Sequence, residues 1–84
     1  MIEAESLEER IRRGLGDVSH VQLTDLTGTR DHWEAVIVAG AFVGKSRIQQ
    51  HQMVYAALGE LMSGPIHALA LKTYTPESWS EARG

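Results

Sequence analysis

From Trp33 to Tyr74 the 84-residue chain reads as strand, helix and strand in unbroken succession, an order that restricts the fold more than any other feature of the sequence. Trp33-Glu34-Ala35-Val36-Ile37-Val38 is nearly continuously apolar, as a buried strand is. The stretch from Arg47 to Met62 carries no proline and one interior glycine, Gly59, and Ser46 with Gln49 forms a capping box at its start. Gly64-Pro65 ends it, the glycine as a left-handed cap and the proline as a block to continuation. Ile66 to Tyr74 is then the next strand. A connection of this kind is a right-handed crossover, so the two strands run parallel in one sheet.

The flanking segments complete the pattern. Ser6-Leu7-Glu8-Glu9 reads as a capping box, with Leu7, Ile11 and Leu15 at helical spacing behind it and Gly14 and Gly16 at the end. His20-Val21-Gln22-Leu23-Thr24 alternates as a strand, and Thr27-Gly28-Thr29-Arg30-Asp31 supplies turn chemistry for an antiparallel hairpin with residues 33–38. Thr75-Pro76-Glu77 opens a last helix. The expected fold is therefore α+β, in the order α-β-β-α-β-α. It forms a single domain over residues 1–84, a mixed three-stranded sheet with helices packed mainly on one face.

In the principal helix, Ile48, Val54, Tyr55, Leu58, Leu61 and Met62 fall within about half of the circumference at 100° per residue. His51 lies in that arc and is expected to be a largely buried, hydrogen-bonded imidazole.

Composition removes several function classes. There is no cysteine, hence no disulfide framework, no Cys-based zinc site and no thiol nucleophile. The acidic start Met1-Ile2-Glu3-Ala4-Glu5 does not look like a leader, and no apolar run approaches the roughly 20 residues of a membrane span. A cytoplasmic or organelle-matrix location and no membrane association are the expectation. A net charge of −3 argues against bulk electrostatic capture of nucleic acid. The charge is unevenly spread, however. Residues 35–76 hold Lys45, Arg47 and Lys72 against Glu60 alone, which allows a weakly basic surface there.

Motifs of chemical interest are few. Ala39 to Ser46 ends in Gly-Lys-Ser between a strand and a helix, as a phosphate-binding loop does, but Ala39 stands where that loop needs its first glycine. Gly40 and Gly44 are separated by three residues, one more than the RNA-clamping loop of KH domains has. The preferred reading makes Phe42 a core plug and Ser46 a helix cap, and leaves nucleotide hydrolysis as the least favoured function. No serine, histidine and acid form a nucleophile-base-orienter set, so the chain is expected not to be an enzyme. None of the four histidines forms a zinc-binding pair on one helix. His32 and His67 both sit at strand starts, and parallel strands would bring those starts to one end of the sheet, where two imidazoles can offer metal ligands.

From about His20 to Trp79 the sequence resembles the BolA family. The matching segments are Asp31-His32-Trp33, Phe42-Val43-Gly44-Lys45-Ser46, Gln50-His51-Gln52-Met53-Val54-Tyr55, Ile66-His67-Ala68-Leu69 and Lys72-Thr73-Tyr74-Thr75-Pro76-Glu77-Ser78-Trp79. The resemblance implies a fold similar to the class II KH fold. It also implies a non-enzymatic adaptor in iron-sulfur cluster trafficking and iron homeostasis. Such a protein pairs with a monothiol glutaredoxin carrying a Cys-Gly-Phe-Ser motif around a shared [2Fe-2S] cluster. Glutathione and the glutaredoxin supply sulfur ligands, and His67 is the histidine carried over to this chain. Members commonly place a second ligand, Cys or His, about four residues before the aromatic of the second strand. Thr29 stands there, and His32 is assigned as the second ligand instead. Implied partners further include apo iron-sulfur proteins, and an open sheet edge offers a docking surface for these or for a homodimer. The family is also associated with transcriptional regulation; the alternative function is weak DNA binding through Lys45, Arg47 and Lys72.

Overall fold

The computed structural model describes residues 2–64, 66 and 68–83. Its elements follow the expected order: α1 Ala4–Gly14, β1 Val18–Asp25, β2 His32–Ala39, α2 Arg47–Leu58, β3 Ala68–Tyr74 and α3 Pro76–Arg83, with short 3-10 turns at Gly40–Phe42 and Gly59–Ser63. The sheet order is β1-β2-β3, with β1 antiparallel and β3 parallel to β2. The hairpin turn and the crossover thus account for the directions of β1 and β3, respectively. Pro65 and His67 lie outside the described residues.

One face of the sheet carries the core. Trp33, Ala35, Ile37 and Ala39 of β2 point to it, and Leu7, Ile11 and Leu15 of the α1 segment, Val54 and Leu58 of α2, Phe42 and Ile66 close over them. Phe42 is fully buried, as expected of a plug between β2 and α2. A bulge between Val18 and His20 lets Val18 and Val21 both face this side. Where α1 and α2 cross, Gly14 abuts Ala57 so closely that a Cβ at position 14 would overlap that residue.

Three local expectations are corrected. The first helix begins at Ala4 behind Glu3, which makes no side-chain cap, so Ser6 lies inside the helix and caps nothing. The principal helix ends at Leu58, because Gly59 adopts φ 55° as its C-cap; Gly64, at φ −124°, is not left-handed. The buried face of α2 is also rotated by roughly 50° from the expected arc. Its buried residues are Gln50, Val54 and Leu58, while Ile48 is 71% exposed and Tyr55 is exposed as well. Gln50, and not His51, is the buried polar residue. Its amide nitrogen donates to the carbonyls of Phe42 (3.3 Å) and Lys45 (3.0 Å), and its Oε1 accepts from Thr73 (2.7 Å). The Ser46/Gln49 box is present in both directions.

The fold class and mixed sheet are as expected, and α1 and α2 share one face. The third helix departs from the expectation that the helices lie on one face. Register pairs Val38 with His20 on one side and with Tyr74 on the other, so these three form a row on the face away from the core. Trp79 of α3 covers that row: it stacks on His20 at 5.2 Å and meets Tyr74 at 5.1 Å. Val38 is fully buried beneath it. Thr75 and Ser78 cap the helix reciprocally, the Ser78 amide donating to Thr75 Oγ1 (3.1 Å) and the Thr75 amide to Ser78 Oγ (2.9 Å).

Candidate functional site

The end of the sheet where β2 and β3 begin is built by the β1–β2 loop. Asp25, the last residue of β1, accepts hydrogen bonds from the amides of Thr27 (3.4 Å), Gly28 (3.0 Å) and Arg30 (3.1 Å). That bracket holds the chain through two left-handed residues, Gly28 at φ 79° and Arg30 at φ 59°. The loop is also tied to the chain start, since the Ile2 amide donates to the Arg30 carbonyl (3.3 Å) and the Arg30 guanidinium pairs with Glu3. At the far side, the Leu26 amide donates to the His32 carbonyl (2.9 Å) and the Ala68 amide to the Asp31 carbonyl (3.1 Å).

Within this frame His32 is oriented by its neighbour. Its Nδ1 lies 2.9 Å from Asp31 Oδ1, and the same oxygen accepts from the Thr29 hydroxyl. An ionised carboxylate can only accept, so Nδ1 donates to it, and in the neutral ring the lone pair then belongs to Nε2. Carboxylate support of this type raises the basicity of a metal-binding imidazole and fixes its tautomer. The His32 side chain is 40% exposed and its Cα is paired in register with Ala68. Thr29, at the position where the resemblance implied a ligand, is engaged in holding Asp31 and Thr27. The sequence shows Asp31 beside His32, but this three-residue relay exists only because Asp25 curls the loop.

The assigned ligand His67 lies outside the described residues. Among the described residues no three His, Asp or Glu side chains converge as a metal site would require. His32 fits as one nitrogen donor, and the described residues do not supply a full ligand set for a metal or cluster here.

The three cations of the alternative function do not line one groove. Arg47 and Lys72 line a common groove together with His51, Leu71, Thr73 and Tyr74. Lys45 instead borders a separate depression with Gln49, Gln52, Met53 and Ala56. Lys72 additionally lies 3.9 Å from Glu34 across the sheet. His51, expected in the core, is half-buried at the wall of the groove. Among the described residues no helix is long and apolar enough to cross a membrane.

Comparison with known proteins agrees with the architecture. The family model for BolA-like proteins matches residues 2–78. BolA-like protein 1 of Bos taurus is 43% identical over 54 residues, a match that spans 64% of this chain and 40% of that relative's length. The DNA-binding transcriptional regulator BolA of Escherichia coli strain K12 is 33% identical over 86 residues, spanning 94% of this chain and 81% of the relative. A BolA homologue of known structure from Coxiella burnetii superposes with a TM-score of 0.82 at 34% identity, covering 95% of this chain and 99% of that one. Such relatives are named as regulators or as BolA-like proteins. On the family match, the sequence identity and the fold together, the chain belongs to the BolA-like protein family.

Proposed function

We propose that this chain is a non-enzymatic adaptor in iron-sulfur cluster trafficking and iron homeostasis, pairing with a monothiol glutaredoxin of the Cys-Gly-Phe-Ser type. The cargo is a [2Fe-2S] cluster shared between the two proteins, with sulfur ligands from the glutaredoxin and glutathione and imidazole ligands from His67 and His32. The observation that carries the reading is the register of His32 with Ala68, the residue that follows His67 in the sequence. Asp31 supports it by engaging His32 Nδ1, which makes Nε2 the ligating atom of the neutral ring. Imidazoles in place of thiolates on one iron raise the potential of such a cluster.

The test adds this protein to a [2Fe-2S]-loaded monothiol glutaredoxin and follows visible absorption and circular dichroism, with His67→Ala and His32→Ala in parallel. The reading requires a new spectrum that saturates at one chain per cluster and is abolished by His67→Ala. Loss with His32→Ala as well identifies the second ligand. An unchanged spectrum on mixing overturns the ligation.

A second reading, DNA binding, draws on the name of the Escherichia coli relative and on the Arg47/Lys72 groove. It ranks below the first, since Lys45 borders a different depression and the chain is acidic overall. Mobility shifts that fade with added salt and vanish in Arg47→Ala/Lys72→Ala would favour it.

A further inference from the structure

The groove lined by Arg47, His51 and residues 71–74 has an unusual relation to the sheet. Leu71 and Thr73 belong to the core face, one packed against the hydrophobic cluster and the other bonded to Gln50. Lys72 and Tyr74 belong to the opposite face, beside Glu34 and Trp79. Side chains from both faces of one strand line a single groove only where the groove runs along the strand's edge. β3 is an edge strand, paired with β2 on one side, and among the described residues no strand pairs with its other side. Arg47 and His51, one helical turn apart on α2, form the outer wall. No ion pair holds Arg47 among the described residues, so an exposed guanidinium stands beside the free edge of β3, while the Lys72 ammonium on the other face lies toward Glu34 of β2.

We propose that this groove binds an extended acidic segment of a protein partner, which adds to the sheet as a fourth strand along β3. The backbone edge supplies the ladder, and Arg47, on the core side of that edge with α2, selects carboxylates at the alternate positions of the incoming strand that face it. The groove begins three residues beyond Ala68, so it stands apart from the proposed cluster ligands and does not depend on them. A nucleic acid would find little here beyond charge: Tyr74, the aromatic of the groove, is already in contact with Trp79, and two cations hold only weak, salt-sensitive affinity for phosphates.

The test uses the intact chain and a capped peptide of alternating valine and glutamate about eight residues long, the length of an ordinary strand. Its glutamine counterpart and a single-stranded oligothymidine serve as competitors. Amide shifts are expected to saturate, to cluster at residues 71–74 and at Arg47 and His51, and to come with slower amide exchange along β3. The glutamine peptide, and separately Arg47→Glu, should each weaken binding by about fivefold or more. Arg47 is exposed and its replacement leaves the fold intact, which the dispersed spectrum of the variant checks directly. Shifts that do not saturate by about a millimolar, equal binding of the glutamine peptide, or shifts without slowed exchange would overturn the proposal. Tighter binding of the oligothymidine would assign the groove to nucleic acid instead.

Discussion

The two faces of the sheet are built to different standards. On the core face, Trp33, Ala35, Ile37 and Ala39 lie under two helices and the Phe42 plug, in one contiguous apolar cluster. On the other face, the rows carry His20, Gln22, Thr24, His32, Glu34 and Lys72, and among the described residues only the His20–Val38–Tyr74 row is roofed, by Trp79. Both faces share the same three strands. The contrast teaches that the fold is secured from one side, leaving the other free to present polar groups at its ends and edge. An 84-residue chain has apolar surface for one such core and little more.

Substitutions that break or sharpen this contrast can be ordered by size. Phe42→Ala removes the plug and opens a cavity in the core face, so it should cost about 3–5 kcal/mol of unfolding free energy in denaturant titration. Gln50→Leu keeps the volume but strips the carbonyls of Phe42 and Lys45 and the hydroxyl of Thr73 of their partner, and should cost about 1–3 kcal/mol. Trp79→Ala acts on the opposite face. It should cost about 1 kcal/mol and speed amide exchange in α3 and around Val38 while sparing α1 and α2. If Trp79→Ala loosened the α1–α2 side equally, the two faces would not be separable. Ile48→Ser, at an exposed apolar position of α2, should change stability by less than about 0.5 kcal/mol. A large loss there would mean that this surface is covered in solution.

Much of this division is written in periodicity. The alternation of residues 20–24, the apolar run 33–38 and the spacing of Leu7, Ile11 and Leu15 specified the strands and half of the core, and the turn at residues 27–31 with the crossover specified the strand directions. The phase of α2 was not legible, because hydropathy counts Ile48 and Tyr55 as inward and Gln50 as outward. Gln50 is buried for its hydrogen bonds, a tertiary fact that no local pattern encodes. The position of α3 escaped for a related reason: eight residues with one tryptophan define no apolar stripe, and the partners of Trp79 come from β1 and β3. At the candidate site, His32 was visible as a residue type beside Asp31. Its tautomer was not, because the Thr29–Asp31–His32 relay depends on the loop that Asp25 holds closed.

The central claim is that imidazole nitrogen from this chain binds the shared cluster. Pulsed electron paramagnetic resonance on the reduced complex tests it most directly, using this chain with 15N-labelled histidine and an unlabelled glutaredoxin. The account predicts strongly coupled 15N from directly bound imidazole, which disappears with the mixed complex in His67→Ala and in His32→Ala. A spectrum with only weakly coupled nitrogen, unchanged between labelled and unlabelled chain, would contradict it.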